Sequence, residues 1–434
     1  MLPRKIFAKI KQLRLGESRS LISAFSYGTA SILTQGIMMI YLIIVAQWLG
    51  AEQYGYIAAA HAATALSAFL FSWGFNEWLM KAGSTIPDVE ALGGSVVKLK
   101  GLLGMAWGVG LFIVLRLIRP DVYLSSVVIL SIVEVWFDST FGTLLALLVL
   151  KEQVKRAAVL LTLSRLFRLL TVVGLILLGS RSVIWVLFLR LITTLLFFIL
   201  AWIFTMPKLF GDNLIQPRAL FRSSSAFNIS ELLNLIFLHA DVNILSWLGA
   251  DLELIANYSI VISLINAAIT LPSGIYNVIL PNMVKAYQHI KANFHRYMQW
   301  LYAGFFIMGV ALWVGAAYLS KPVVTLLFGE TYLPSIDLLI WLSPLLFLRT
   351  INQANIAYLV TVGCQTRRLL PQLVAVVAKI AAGFMAVANL QALGIIIVTI
   401  STEGILFCGY VIQIVRHYLN PLKMECHEYF DDHV

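Results

Sequence analysis

Charged residues and cysteines are scarce in this sequence, and each shortage argues against a class of protein. Only 12% of the residues are charged, whereas soluble domains carry about 25%. The cysteines Cys364, Cys408 and Cys426 are scattered and match neither a disulfide framework nor the spacing of a metal site. The sequence also lacks a Walker motif, a nucleophile elbow and a metal-ligand signature, and its polar loops are too short for a catalytic domain. We therefore expect neither a soluble domain nor an enzyme, and neither a cofactor nor a bound metal.

Long apolar segments dominate the chain instead. Hydrophobic residues make up 60% of the sequence, and many apolar runs, such as "SILTQGIMMIYLIIVAQWLG", reach the ~20 residues that cross a bilayer as a helix. The sequence therefore predicts an all-α polytopic membrane protein with about twelve transmembrane helices. The predicted spans cover residues 21–47, 54–80, 92–117, 121–150, 157–178, 183–205, 219–248, 253–280, 297–320, 335–362, 370–389 and 393–416.

The lysines and arginines predict the orientation of these spans. Cytosolic loops of membrane proteins carry an excess of Lys and Arg, and alternate loops of this chain hold most of its 31 such residues. We expect both termini in the cytosol, with a basic surface segment over residues 1–20 and a tail over 419–434. This orientation explains the net charge of +10, so no nucleic-acid partner is expected. The cations assigned to cytosolic loops include Lys98, Lys100, Lys151, Arg165 and Arg168, and those assigned to the outer side are Arg116, Arg119, Arg181 and Lys321.

The tetrapeptide Trp-Leu-Gly-Ala occurs twice, at Trp48–Ala51 and at Trp247–Ala250. Each copy ends a predicted span on the outer side, and a serine-rich segment opens both of these spans. Chance is one explanation, because these residues are common in membrane helices. The matching positions favour the other, a chain built from two parallel repeats. We expect an N-terminal six-helix lobe over residues 21–210 and a C-terminal six-helix lobe over 211–418, around a central cleft.

Four segments carry a resemblance to a known family. They are "FSYGTASILTQGIMMIYLIIVAQWLGAEQYGYIAAAHAATALSAFLFSWGF", "LHADVNILSWLGADLELIANYSIV", "LPSGIYNVILPNMVKAY" and "VVTLLFGETYLPSIDLLIWLSP". In this order, the chain resembles the polysaccharide-biosynthesis flippases of the multidrug/oligosaccharidyl-lipid/polysaccharide (MOP) exporter superfamily. One position departs from the family: Gln47 stands where an arginine is frequent, so no role of that arginine can be carried over.

The resemblance implies a flippase of the bacterial cytoplasmic (inner) membrane. Its substrate would be an undecaprenyl-diphosphate-linked oligosaccharide, a repeat unit of O-antigen, capsule or exopolysaccharide. The flippase would move this substrate from the inner to the outer leaflet by alternating access, with H+ or Na+ as the coupling ion. Its other partners would be membrane lipids and a polysaccharide polymerase. Two alternatives remain, namely a cation-coupled multidrug exporter of the same superfamily and a membrane-bound glycosyl- or acyltransferase.

Two carboxylates in predicted span 4 need an explanation, because a charge at the centre of a bilayer costs at least ~2.5–3.5 kcal/mol on insertion scales. Glu134 and Asp138 lie four residues apart, hence on one face of the helix. Their mutual repulsion favours protonation of one of them, and Arg190 on span 6 is a candidate partner. They form either a site for a coupling ion or a substrate headgroup, or a structural ion pair that joins helices.

A second polar group is predicted near the middle of spans 10 to 12, where Arg349, Lys379 and Glu403 lie. Two cations against one carboxylate would leave a surplus positive charge if they share a pocket. Such a surplus suits an anionic headgroup, because arginine binds phosphate through two parallel hydrogen bonds. A structural network is the alternative. The substrate-binding candidates are Arg349, Lys379, Arg190, Asn352, Gln353 and Asn234.

Predicted span 7 carries a polar face formed by Asn228, Glu231, Asn234 and Asp241. A helix that faces lipid could not carry such a face, so we expect it to line protein or water. Its carboxylates join those of the other two groups as candidates for ion coupling. The ion-coupling candidates are Asp241, Glu134, Asp138, Glu231 and Glu403.

Overall fold

The computed structural model of this chain describes residues 33–83, 88–209, 216–289 and 291–419. Within these ranges a few side chains, among them that of Glu231, are outside the description. The predicted surface segment over residues 1–20 and the tail after residue 419 also lie outside the described residues, so both stay predictions.

Helices account for nearly all of the described chain, and these ranges contain no strand. The long apolar runs form helices because a helix satisfies every backbone N–H and C=O within its own segment, as a bilayer requires. In chain order the helices are α1 (Leu33–Leu49 of the described residues), α2 (Ala51–Ser67), α3 (Phe69–Ser72), α4 (Phe75–Ala82), α5 (Val89–Ile118), α6 (Ser125–Leu150), α7 (Val154–Leu177), α8 (Val183–Thr205), α9 (Pro217–Trp247), α10 (Leu252–His289), α11 (Lys291–Phe328), α12 (Pro334–Leu342), α13 (Pro344–Thr361) and α14 (Leu369–Leu419), with short 3-10 turns at Glu330–Tyr332 and Gln365–Arg368.

Nine helical segments of the described chain are long and apolar enough to cross a membrane, and Leu33–Leu49 and Leu232–Trp247 are shorter apolar helices. The last segment, Thr366–Leu419, turns at Gln391, whose φ of 46° and ψ of −117° are not helical. This turn falls between the last two predicted spans, so each predicted span has a helical counterpart. The predicted all-α polytopic membrane fold is confirmed.

Both copies of Trp-Leu-Gly-Ala lie at the end of a helix. α1 ends at Leu49 and α9 at Trp247, and the next glycine has a left-handed backbone, with a φ of 80° at Gly50 and 94° at Gly249. Glycine is favoured just past a helix end because it has no Cβ to clash in this conformation. The two copies therefore share a local structure, whereas the duplication of whole lobes stays a prediction.

The described chain divides into two compact units. The first unit contains the chain up to Trp48, Ser67–Leu117 and Leu124–Glu231. Its core forms where α6 packs against α8, α7 and α4, and buried residues such as Phe75 and Leu144 fill it. This packing brings the interior faces of α6, α7 and α8 together.

The second unit contains Leu49–Leu66, Ile118–Tyr123 and the chain from Leu232 onward. In it α13 packs against α10, α11 and α14 around buried residues such as Phe305 and Tyr410. The predicted six-helix lobes over residues 21–210 and 211–418 stay a prediction.

Candidate functional site

Five charged side chains form a network in the first unit, which we call the arginine cluster. It consists of Glu134 and Asp138 on α6, Arg165 and Arg168 on α7, and Arg190 on α8. One nitrogen of Arg168, Nη2, lies 3.0 Å from Glu134 Oε1 and 2.7 Å from Asp138 Oδ1. Arg190 Nη2 lies 2.9 Å from Glu134 Oε2, and Arg165 Nη1 lies 3.2 Å from Asp138 Oδ1. The predicted contact between Arg190 and Glu134 is therefore confirmed.

Helical spacing assembles the arginine cluster. Its carboxylates lie four residues apart on α6 and two of its arginines lie three residues apart on α7, so each pair projects from one face of its helix. Because α6 packs against both α7 and α8, these faces meet. Thr194 on α8 accepts a further hydrogen bond from Arg168 Nη2 at 2.8 Å, which fixes the orientation of that guanidinium.

The arginine cluster carries more positive than negative charge. Among the described residues, its ion pairs join three arginines to two carboxylates. The side chains of Arg168 and Glu134 are 3% and 4% exposed, whereas those of Arg165 and Asp138 are 18% and 30% exposed. The network is therefore closed around Glu134 and accessible at Arg165. Such an arrangement can accept an anion at its accessible end, where guanidinium hydrogen bonds to an oxyanion are strong.

The structure corrects the assignment of Arg165, Arg168 and Lys100 to cytosolic loops. All three lie inside helices, and Arg168 and Lys100 are buried, at 2% and 0% exposure. Lys100 Nζ donates hydrogen bonds to Thr143 Oγ1 at 3.0 Å and to Asn76 Oδ1 at 3.3 Å. A count of loop cations cannot distinguish a cation at the end of a helix from a cation that lies farther inside the helix and contacts polar groups of neighbouring helices. The signal that was missed is the i, i+3 spacing in Arg-Leu-Phe-Arg, which places two cations on one face of an otherwise apolar helix.

Most of the predicted substrate-binding residues line one cavity in the second unit. Its volume is about 220 Å³, and we call it the amide cavity because five side-chain amides contribute to its wall. The predicted residues in this wall are Asn234, Arg349, Asn352, Gln353 and Glu403, and the other polar or aromatic ones are Asn266, Gln372, Phe237 and Tyr410.

Arg349 is held in the wall of the amide cavity by a carboxylate and an amide. Its Nε lies 2.6 Å from Glu403 Oε1, and its Nη1 donates to Asn266 Oδ1 at 2.7 Å. The other oxygen of Glu403 accepts a hydrogen bond from Asn352 Nδ2 at 3.3 Å. The positive charge of Arg349 is thus balanced by Glu403. The cavity can offer amide donors and acceptors to a neutral polar ligand.

Lys379 does not line the amide cavity, and this corrects the expected charge balance. Its Nζ lies 2.9 Å from Asp241 Oδ1, and both residues are buried. Each of the two cations therefore has its own carboxylate, and the surplus positive charge expected around Glu403 is absent. The expectation was wrong because it grouped Lys379 with Arg349 and Glu403 and left out Asp241 on α9. The surplus instead lies in the arginine cluster.

Two further expectations concern residues outside these contacts. The side chain of Glu231 is not among those described, so its role in ion coupling stays a prediction. Within the described ranges, no group of three or more His, Cys, Asp or Glu side chains is placed to hold a metal ion.

Charged and amide side chains that are buried between the helices of a membrane protein are typical of substrate or ion pathways, and membrane transport proteins form one class that has them. A model of the polysaccharide biosynthesis protein family matches residues 20–287, more than half of the chain, and the chain belongs to this family. No curated protein sequence matches the chain.

Solved structures with the same fold include transporters of the MOP superfamily. The lipid II flippase MurJ in an inward closed conformation has a TM-score of 0.73 at 12% identity, over 91% of this chain and 89% of that chain. An inward-facing multidrug resistance MATE family transporter has a TM-score of 0.68 at 13% identity, over 89% and 96%. A MOP superfamily transporter from Pyrococcus furiosus has a TM-score of 0.60 at 13% identity, over 91% and 95%. At these identities the likeness concerns the fold, and together with the family match it confirms the resemblance stated from the sequence.

Proposed function

We propose that the protein is a flippase for an undecaprenyl-diphosphate-linked oligosaccharide, which it moves from the inner to the outer leaflet of the bacterial cytoplasmic membrane. The observation that carries this proposal is the surplus positive charge of the arginine cluster. Family membership supports the same substrate class. A diphosphate is the one charged group that every such lipid-linked oligosaccharide has, whatever its sugars.

The arginine cluster fits a diphosphate for two physical reasons. Guanidinium groups bind phosphate oxygens through parallel hydrogen bonds, and these bonds strengthen where water is excluded. Arg165 has a partly exposed partner, Asp138, that also contacts Arg168. An incoming phosphate can therefore engage Arg165 while Asp138 keeps a counter-charge, so that no carboxylate is left unpaired.

The amide cavity suits the sugars of such a substrate. Amide groups can donate to and accept from hydroxyl groups, and the cavity wall adds the rings of Phe237 and Tyr410. A hydroxyl group that enters hydrocarbon without a hydrogen bond costs roughly 2–7 kcal/mol, so a multi-sugar head needs polar partners along its path. We propose alternating access as the route, as in transporters that are built from repeats.

Ion coupling is part of the proposal, with H+ or Na+ as the ion and Glu134, Asp138, Glu231, Asp241 and Glu403 as candidates. Four of these carboxylates contact an arginine or lysine in the structure. A coupling ion would therefore have to compete with a cationic side chain for its carboxylate. A polysaccharide polymerase as partner and cytosolic termini also belong to the proposal.

The alternative of a cation-coupled drug exporter has less support. A cationic drug needs a carboxylate with negative charge to spare, and the carboxylates of the arginine cluster and the amide cavity contact cations already. The family and the solved structures with this fold are transporters and flippases, so we do not propose a glycosyl- or acyltransferase.

Binding of a short-chain polyprenyl diphosphate to the purified protein tests the proposal. We expect the diphosphate to bind more tightly than the matching monophosphate. Arg165→Gln should weaken the binding of the diphosphate by about tenfold or more, since a hydrogen bond to a charged group contributes about 1.5–3 kcal/mol. The matched control is Arg156→Gln on the same helix, whose Nη1 bonds Gln153 on the exposed surface at 3.0 Å. Equal losses in both variants, or no preference for the diphosphate, would contradict the proposal.

A further inference from the structure

The second unit contains two ion pairs. Arg349 and Glu403 pair in the wall of the amide cavity, and Lys379 and Asp241 form a separate, buried pair. Lys379 on the first half of α14 is 0% exposed and Asp241 on α9 is 2% exposed. Burying an ammonium costs several kcal/mol unless it is paired and hydrogen-bonded. The groups around Lys379 must therefore provide the negative charge and the hydrogen-bond acceptors that replace the hydration of its ammonium.

Three groups surround the ammonium of Lys379, and together they resemble the ligand set of a monovalent cation. Nζ lies 2.9 Å from Asp241 Oδ1 and donates a hydrogen bond to the backbone carbonyl of Phe237 at 2.8 Å. It also lies 4.6 Å from the centre of the Phe237 ring, within the range of a cation–π contact. A carboxylate, a backbone carbonyl and an aromatic face are groups that attract any small cation.

The far side of the carboxylate is fixed by neutral hydroxyl groups. Tyr258 on α10 donates a hydrogen bond to Asp241 Oδ2 at 3.1 Å, so the carboxylate acts as an acceptor there. Tyr258 is itself in hydrogen-bond contact with Thr399, on the second half of α14, at 3.2 Å. Three helices thus hold Asp241 in one orientation, with its other oxygen directed at the ammonium.

The ammonium of lysine suits this role better than a guanidinium would. It is a compact point charge on a flexible stem, whereas arginine spreads its charge over a planar fork. The comparison within the same unit is Arg349, which contacts Glu403 from the wall of the amide cavity. Lys379 instead fills a closed site whose ligands would suit a single spherical cation.

We propose that Lys379 is a tethered cation, whose ammonium occupies a monovalent-cation site formed by Asp241 and the Phe237 carbonyl and ring. The wild-type protein therefore binds no alkali-metal ion at Asp241, because the chain supplies the cation itself, and this inference removes Asp241 from the candidates for Na+ coupling. Removal of the ammonium leaves an anionic site that accepts Na+, K+ or a small ammonium ion. This inference does not depend on which lipid-linked molecule the protein carries.

Thermal unfolding of the purified protein at constant ionic strength, in NaCl, KCl, ethylammonium chloride or choline chloride, tests the inference. Wild type should unfold at the same temperature in all four salts. Lys379→Ala should unfold several degrees lower in choline chloride, because choline is too large for the site, and should regain part of that loss in a saturable manner in at least one of the other salts. Lys379→Gln, which keeps a donor for the Phe237 carbonyl, serves as a second variant if Lys379→Ala does not fold.

The double variant Asp241→Asn/Lys379→Ala is the matched control, because it removes both charges. It should unfold at a temperature that is the same in all four salts. A cation-specific stabilisation of the wild type that Asp241→Asn abolishes would overturn the inference. So would a folded Lys379→Ala or Lys379→Gln variant that none of the small cations stabilises over choline, since the pair would then be a structural ion pair without a cation site.

Discussion

At the scale of single residues, each unit contains a buried cation that contacts carboxylates on other helices. Arg168 joins two carboxylates of the first unit, and Lys379 neutralises Asp241 in the second. Both side chains are buried, so each depends on partners from other helices. The consequence is that these residues contribute to stability and set the local charge at the same time.

Arg168→Met should destabilise the protein by about 3–5 kcal/mol, because the change removes a guanidinium from the buried carboxylate of Glu134 and from the partly exposed carboxylate of Asp138. Arg165→Met should cost much less, since its partner Asp138 is partly exposed and keeps Arg168. The midpoint of thermal unfolding in detergent measures both variants. Equal effects of the two substitutions would show that Arg168 is not the central member of the cluster.

The sequence predicts some of these contacts and misses others for a physical reason. Glu134 and Arg190 were expected to pair because a charge inside a bilayer needs a partner, and the structure shows that pair. The pairing of Lys379 with Asp241 was missed because it depends on how α9 and α14 are rotated about their axes. Spacing within one helix gives its polar face, but it does not give the helix that this face meets.

At the scale of helices, the apolar runs were sufficient to predict most of the long helices of the described chain. The predicted spans correspond to observed helices, and the turn at Gln391 separates the last two. The ends were less predictable, because α10 and α11 each continue for 38 residues, beyond the predicted spans. A helix that leaves the bilayer becomes polar, and hydropathy then no longer marks its end.

The glycine of the second Trp-Leu-Gly-Ala copy should be required for the end of α9. Gly249→Ala places a Cβ on a backbone with a φ of 94°, which costs roughly 1–2 kcal/mol, and its nearest neighbour is 3.7 Å away, so no clash adds to this strain. The unfolding midpoint of Gly249→Ala should fall. Gly110→Ala is the control, because Gly110 lies inside α5 with nothing within 4 Å of the added methyl group, and its midpoint should stay the same or rise. A Gly249→Ala variant as stable as Gly110→Ala would contradict this account of the motif.

At the scale of the whole molecule, the family and the fold are shown, and the substrate is a proposal. The family model covers residues 20–287, and the sequence resemblance had already identified the family from the order of four motifs. The charge that would recognise a diphosphate cannot be located from the sequence, because the count of loop cations assigns Arg165 and Arg168 to a cytosolic loop. We therefore propose the anion site in the first unit, where three arginines pair with two carboxylates, and not in the helices around Glu403.

Transport itself gives the most direct test of the central claim. The protein is reconstituted in liposomes with a fluorescent polyprenyl-diphosphate-linked oligosaccharide, and an impermeant enzyme that cleaves the exposed glycan reports which leaflet holds it. We predict that wild type and Arg156→Gln bring the lipid across the bilayer, and that Arg165→Gln does so at least about tenfold more slowly, in line with the loss of one charged hydrogen bond. If liposomes with wild-type protein moved the lipid no faster than empty liposomes, or if Arg165→Gln matched wild type, the account would be contradicted.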